Sequence, residues 1–269
     1  MKNKVAIITG ASSGIGRALA FEFARRGAKV VIASRHFPKL EVIHNELIAM
    51  GADSWPVVAD VSSETDCRNL TTETIKKYGR IDILVNNAGI SMRALFADCD
   101  LTVLRHLMDV NFWGTVCCTK YALPYLQESK GSVVGVISIA GYIGLPGRTG
   151  YSASKFAVRG FLDTLRVETL KTGLHVMVVA PGFTASNIRN VALTADGSHQ
   201  GETPRDESKM MQPETVAIKI ADGIENRTRN LVLTFVEGKM TVFLGKWMPR
   251  LLDKLTYSHM AKEPNSPFK

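Results

Sequence analysis

Short apolar runs rich in β-branched residues alternate with longer helical stretches through the first 190 residues of the chain, and no other feature restricts its fold as strongly. The runs at residues 5–9, 29–33, 54–59, 81–86, 131–137 and 175–180 are largely continuous, with no regular polar alternation. A sheet buried on both faces requires that pattern. Between the runs, residues 14–26, 38–50, 63–78, 101–125 and 151–172 read as helices, the third capped by Ser62 or Ser63. Strand–helix alternation implies right-handed crossovers and an α/β fold, a doubly wound parallel sheet with helices on both faces. After Pro181-Gly182 the rhythm degrades. Residues 194–212 are polar and small and are expected to form a mobile loop, before a helix at 213–226 and a strand at 230–236 resume the pattern. Neither a linker nor an internal repeat divides the chain, so a single domain over residues 1–269 is expected.

Composition narrows the functional classes. The 269 residues are 45% hydrophobic and 22% charged, enough to bury one large core. No apolar run approaches the length that spans a bilayer. Met1-Lys2-Asn3-Lys4 passes straight into the first strand, whose apolar stretch is too short for an export signal. Cys67, Cys99, Cys117 and Cys118 show neither a C-x-x-C pair nor metal-ligand spacing, so reduced thiols in a cytoplasmic protein are expected. The six histidines show no ligand spacing either, and no metal site is expected. Net charge is +8, but outside the tail no Lys/Arg cluster is interleaved with aromatics, so nucleic acid is not an expected partner.

Thr9-Gly10-Ala11-Ser12-Ser13-Gly14-Ile15-Gly16 lies between the first strand and the first helix. Glycines there permit positive φ and close approach of backbone to a ligand, and the helix N-terminus offers free N–H groups to a pyrophosphate. Glycine turns also occur with no ligand; the position at the first βα junction favours the phosphate reading. At the end of the second strand an acid would bind the ribose hydroxyls of NAD. This chain has Ser34-Arg35 there, a hydroxyl and a guanidinium suited to the 2′-phosphate of NADP(H), although Arg35 can equally be a solvent-facing loop residue.

Tyr151 and Lys155 stand four apart near a helix start and so share one face. An ammonium beside a phenol lowers the phenol pKa, which makes Tyr151 a plausible general acid for carbonyl reduction or base for alcohol oxidation. The pair alone is often accidental. Ser138, which ends the preceding strand, gives it company.

Together, Thr9-Gly10-x-x-x-Gly14-x-Gly16, Asn86-Asn87-Ala88-Gly89, Asn111, Ser138, Tyr151-x-x-x-Lys155 and Pro181-Gly182 resemble the short-chain dehydrogenase/reductase family in order and spacing, from about residue 4 to residue 190. The resemblance implies a Rossmann fold with a cofactor-binding and catalytic core over residues 1–190, and hydride transfer without a metal. It makes Tyr151 the proton donor and Ser138 the hydrogen-bond donor to the substrate oxygen. Lys155 then holds the nicotinamide ribose and depresses the tyrosine pKa, and Asn111, at a bend in the long helix, holds a water linked to Lys155. The nucleotide contacts it implies are Gly10, Ser12, Ser13, Gly14, Ile15 and Gly16 at the phosphates, with Ser34 and Arg35 at the 2′-phosphate. Asp60 and Val61 take the adenine, and Asn87, Ala88 and Gly89 the adenine ribose side, where asparagine can instead brace the sheet. Pro181, Gly182, Thr184 and Ser186 face the carboxamide. Family members often carry a β-branched aliphatic where this chain has Thr184, and Thr where it has Ser186.

A substrate loop is expected over residues 183–212. Met92, Leu95, Ile143, Leu145, Ile188, Val191, Leu193, Met210 and Met211 make the expected cleft apolar, which suits a hydrophobic carbonyl or alcohol substrate as well as ordinary loop packing. Residues 239–269 form a basic tail, with six Lys/Arg against two acids for a net +4. Its stretch 240–252 is amphipathic and can rest peripherally on a membrane, pack on its own domain or meet a partner subunit. The tail loosely resembles those of reductases acting on lipid or steroid ketones, 3-ketosphinganine reductases among them. The family resemblance also implies a homodimer or homotetramer through the two long helices. A nucleotide sensor on the same fold is the alternative, as is an epimerase. The first would have no need of the full Asn111, Ser138, Tyr151 and Lys155 set, and the second usually has a longer C-terminal region.

Overall fold

The computed structural model describes residues 1–201 and 210–262, together with 266 and 268. Seven parallel strands form one sheet in the order β3-β2-β1-β4-β5-β6-β7. They are β1 (Val5–Thr9), β2 (Lys29–Ser34), β3 (Ser54–Val58), β4 (Ile83–Asn86), β5 (Ser132–Val136), β6 (His175–Ala180) and β7 (Asn230–Val232). The crossover helices are α1 (Gly14–Arg25), α2 (Phe37–Ala49), α3 (Glu64–Tyr78), α4 (Leu101–Leu107), α5 (Gly114–Glu128), α6 (Thr149–Glu168) and α7 (Pro213–Glu225). This is the doubly wound sheet that the strand–helix alternation predicts.

Strand order reverses between β1 and β4, and a crevice opens beyond their carboxyl ends, where such sheets bind ligands. Both faces of the sheet are buried because side chains alternate along each strand. Val5 and Ile7 pack on one side with Leu84, Val133, Leu126 and Leu162. Ala6 and Ile8 pack on the other with Leu19, Phe23, Leu40 and Ile220. Each fully buried aliphatic contributes about 1.5–3 kcal/mol. Glycine sets how closely α6 approaches the sheet, since a Cβ on Gly135 would lie 2.3 Å from Leu162 Cδ1. The Ser63 hydroxyl caps α3 by accepting from the Asp66 amide, and Gly79 ends that helix with φ of +71°.

Two expectations change, and the tail acquires a structure. The long helix expected over 101–125 is broken by a π-helical turn, Met108–Trp113, between α4 and α5. The strand expected over 230–236 stops at Val232, because the chain turns through Thr234, whose φ is +69°, into a π-helical segment, Phe235–Met240. The tail is helical, as α8 (Thr241–Trp247) and α9 (Pro249–Ala261). Residues 202–209 of the expected mobile loop lie outside the described residues. Its flanks are tied by bridges between Met92 and Leu193 and between Thr184 and Met211. Among the described residues no helix is long and apolar enough to cross a membrane.

Candidate active site

The glycine turn closes the carboxyl end of β1. Gly10 and Gly14 have φ of +66° and +52°, left-handed conformations that favour glycine. A Cβ on Gly16 would lie 2.3 Å from the Gly10 carbonyl oxygen, so α1 can begin this close to the turn only with glycine there. Ser13 is the N-cap of α1 but makes no side-chain cap, which leaves the first-turn N–H groups of the helix available to an anion. The turn is held from β4. Thr9 Oγ1 accepts from the Asn87 and Ala88 amides at 3.0 Å each, and Asn87 Nδ2 donates to the Thr9 oxygen at 2.9 Å. Asn87 thus braces the crevice.

The chemical groups lie on the other side of the crevice. Ser138 follows β5, and Tyr151 and Lys155 sit in the first turns of α6. All three line a cleft of about 150 Å³ together with Ile15, Asn87, Gly89, Pro181, Gly182, Thr184 and Ser186. A Cβ on Gly14 would lie 3.3 Å from the Ser186 Cβ, so the phosphate turn and the segment after β6 face each other. Ser138 Oγ accepts from the Ala140 amide at 3.2 Å and stands near enough to the Tyr151 phenol to lower its pKa. The Lys155 ammonium donates to the Val136 carbonyl at 3.1 Å, and a Cβ on Gly89 would lie 3.2 Å from it.

Asn111 lies in the π-helical turn. Its Oδ1 accepts from the Ile90 amide at 2.9 Å, and its Nδ2 donates to the Ile90 oxygen and to Ser154 Oγ. Ser154 Oγ in turn donates to the Tyr151 carbonyl. Asn111 therefore ties the segment after Gly89 to the turn of α6 that carries Tyr151.

Burial dominates the electrostatics. It pushes the Tyr151 phenol above its ordinary value, against the nearby Ser138 hydroxyl and the positive charges of Arg148 and Arg189, which pull it down. It also lowers Lys155 to about 8. The helical spacing of Tyr151 and Lys155 predicts that Lys155 lowers the phenol. In the structure Lys155 is held at the Val136 carbonyl with its ammonium 5.7 Å from the centroid of the Tyr151 ring, and the charges that lower the phenol are those of Arg148 and Arg189. Arg148 donates to Ser91 Oγ and the Met92 oxygen, and Arg189 to the Thr184 oxygen. Both lie in segments that the sequence places along the substrate cleft, residues 139–148 and 183–211.

The remaining expected residues lie toward the far end of the crevice. Ser34 ends β2 and is buried, while Arg35 next to it is exposed. Burial raises the Asp60 carboxyl, but hydrogen bonds from Ser62 and the charges of Arg35 and His106 outweigh it and hold the group below the usual carboxylate range. Val61 packs against Gly114, and its carbonyl accepts from the Cys67 thiol. Of the expected apolar lining, Leu145 and Ile188 reach the cleft. Met92, Ile143 and Leu193 are buried in core clusters instead. No group of three or more metal-ligating side chains occurs among the described residues.

The crevice carries a glycine cradle that a Cβ would fill, an uncapped helix start and an exposed arginine near Asp60, a set of groups that fits the phosphates of a dinucleotide. Known proteins share its fold. An alcohol dehydrogenase from the archaeon Thermococcus sibiricus, complexed with 5-hydroxy-NADP, superposes with a TM-score of 0.76 at 23% identity, covering 86% of this chain and 96% of its own. A short chain dehydrogenase/reductase from Burkholderia phymatum, in complex with NAD, superposes with a TM-score of 0.77 at 25% identity, covering 86% and 88%. In sequence, the chain is 34% identical over 271 residues to mouse dehydrogenase/reductase SDR family member 7B, covering 99% of this chain and 84% of that protein. It is 36% identical over 246 residues to 11-beta-hydroxysteroid dehydrogenase A of Sesamum indicum, covering 91% and 69%. A family model described as short chain dehydrogenase matches residues 4–196. By that match and those identities, the chain belongs to the short-chain dehydrogenase/reductase family of oxidoreductases.

Proposed function

We propose that the protein is an NADP(H)-dependent reductase that converts a hydrophobic ketone to its alcohol, or runs the reverse, with Ser138, Tyr151 and Lys155 at the reacting end and Asn111 as their brace. The observation that carries this reading is the Tyr151 phenol, buried, with Ser138 near enough to lower its pKa and with Lys155 lining the same cleft. The bound nicotinamide supplies the hydride that reduces the carbonyl carbon. Ser138 and Tyr151 donate hydrogen bonds to the carbonyl oxygen as negative charge develops there, and Tyr151 gives up its proton to it. Arg148 and Arg189 make that proton easier to release by lowering a phenol that burial has raised. Lys155, lowered to about 8, exchanges a proton near neutral pH and binds the ribose hydroxyls beside the tyrosine. Gly89 leaves room at the ammonium, and Asn111 fixes the Ile90 backbone next to it.

The nucleotide pyrophosphate is held on the amides of residues 12–16, the adenine near Asp60 and Val61, and the 2′-phosphate by Ser34 and Arg35. The exposed Arg35 guanidinium and the lack of an acid at that strand end support NADP(H) over NAD(H). Titration of the protein with NADPH and NADH tests this. Tight NADPH binding, weakened by Arg35→Asp, is expected; a preference for NADH would overturn the cofactor assignment.

Leu145, Phe183 and Ile188 supply the apolar wall of the cleft and support a ketone with a hydrocarbon body, a 3-keto lipid or a steroid. A long-chain 3-keto substrate is then expected to give far higher kcat/KM than a short ketone with the same head group, and equal values would remove the lipid reading. Exposed Trp113, Phe156, Val167 and Leu170, on and beside α5 and α6, support a homodimer or homotetramer assembled through those helices. The cysteine usage supports a cytoplasmic setting.

A further inference from the structure

We infer that the outward face of residues 235–255 docks on an anionic lipid bilayer, and that docking sets the wall of the catalytic cleft beside the lipid. The segment has two unlike sides. Inward, Val242 and Leu244 pack on the core and Leu252 and Met260 are buried. A Cβ on Gly245 would lie 2.8 Å from Ile143 Cγ2, so α8 rests directly on the strip that leads to the cleft residues Leu145 and Arg148.

Outward, eight large apolar side chains are exposed between positions 235 and 255. Phe235 is 72% exposed, Trp247 64%, Val236 60% and Phe243 58%, and Met240, Met248, Leu251 and Leu255 are all above 40%. Soluble surfaces scatter such residues singly and do not gather them in one short segment. The basic side chains Lys239, Lys246, Arg250 and Lys254 are exposed among them, against Glu237 and Asp253. In α9 the spacing puts Leu251 and Leu255 on one flank and Arg250 and Lys254 on the adjoining one. Beside the segment, an apolar hollow of about 310 Å³ is lined by Met211, Leu231, Val232 and Phe235 with Lys219 and Lys239. Apolar and aromatic side chains at the level of the acyl boundary, with cations toward phosphate headgroups, are the chemistry of an interfacial helix.

Charge decides the occupant. A second copy meeting this face across a two-fold axis would set its four cations and two acids, net +2, against the same net +2. An anionic bilayer accepts both the cations and the hydrocarbon, and neither α8 nor α9 is long enough to go deeper than the interface. Docking stands on the surface alone. That it delivers substrate rests on reading the cleft as a site for hydrophobic ketones.

The test is sedimentation of the full chain with phosphatidylcholine vesicles and with vesicles that also contain phosphatidylserine. Turnover of a water-soluble ketone with NADPH is followed in parallel. We expect binding to the anionic vesicles that weakens in high salt. Combined Lys246→Gln, Arg250→Gln and Lys254→Gln should lower it about a hundredfold. Phe243→Ser with Trp247→Ser should remove it, and soluble turnover should be unchanged in both variants. No binding to either vesicle, or equal binding by the three-Gln variant, overturns the proposal. So does a wild-type dimer that the Phe243→Ser, Trp247→Ser variant converts to monomer without any lipid binding. Vesicle binding with no turnover of any ketone upholds docking and overturns the enzymatic reading instead.

Discussion

The Lys155 ammonium donates to the Val136 carbonyl across 3.1 Å, two residues before Ser138, so one buried cation joins α6 to the end of β5. Burial holds this amine at about 8 against an ordinary 10.5. Between those values the unfolded chain binds a proton that the folded chain does not, so this group adds stability as pH rises through that window and costs stability below it. Lys155→Met should therefore raise the stability of the apoprotein near pH 7, by up to about 3 kcal/mol, with a gain that shrinks toward pH 10. Thermal unfolding across pH checks this; a gain that does not vary with pH would contradict it.

Gly16 should tolerate no side chain. An alanine Cβ would meet the Gly10 oxygen at 2.3 Å and Asn87 Nδ2 at 2.6 Å, the first of which is backbone and cannot swing away. Gly16→Ala is expected to cost about 1–3 kcal/mol in urea unfolding and to weaken NADPH binding. Gly144, with nothing within 4 Å, serves as control, and Gly144→Ala should stay within about 0.5 kcal/mol.

Arg148→Gln should change a pH profile. Reduction requires protonated Tyr151, so the rate falls as pH rises through the phenol pKa. Burial raises that pKa, and the charges of Arg148 and Arg189 bring it down. Removing one of them should move the alkaline limb of kcat/KM to higher pH, whereas Arg148→Lys, which keeps the charge, should leave it in place. A limb unmoved by Arg148→Gln would assign Arg148 only to holding Ser91 and Met92.

Much of this site was legible because it depends on local chemistry. Gly10 and Gly14 need left-handed backbone, Tyr151 and Lys155 need helical spacing, and the strands need both faces apolar, all of which are written along the chain. What escaped depends on tertiary contact. At the π-helical turn the Asn111 side chain is pinned to Ile90 and Ser154, 21 and 43 residues away in sequence, a contact that no local pattern announces. The early end of β7 follows from the turn at Thr234, a residue with no turn preference of its own. Met92 and Leu193 looked like cleft lining, but a bridge between their backbones draws both into the packing under Tyr151. The roles of Arg148 and Arg189 are invisible in sequence because charge acts through space, and Arg189 comes from the segment after β6.

The most direct test is to mix the protein with NADPH and a panel of ketones and compare it with Tyr151→Phe. The wild type should consume NADPH with at least one hydrophobic ketone. The variant should bind NADPH equally well yet turn over about a hundredfold to ten-thousandfold more slowly, the usual contribution of a general acid. Equal rates in the two proteins would contradict a catalytic Tyr151, and tight NADPH binding with no consumption by any ketone would contradict the reductase itself.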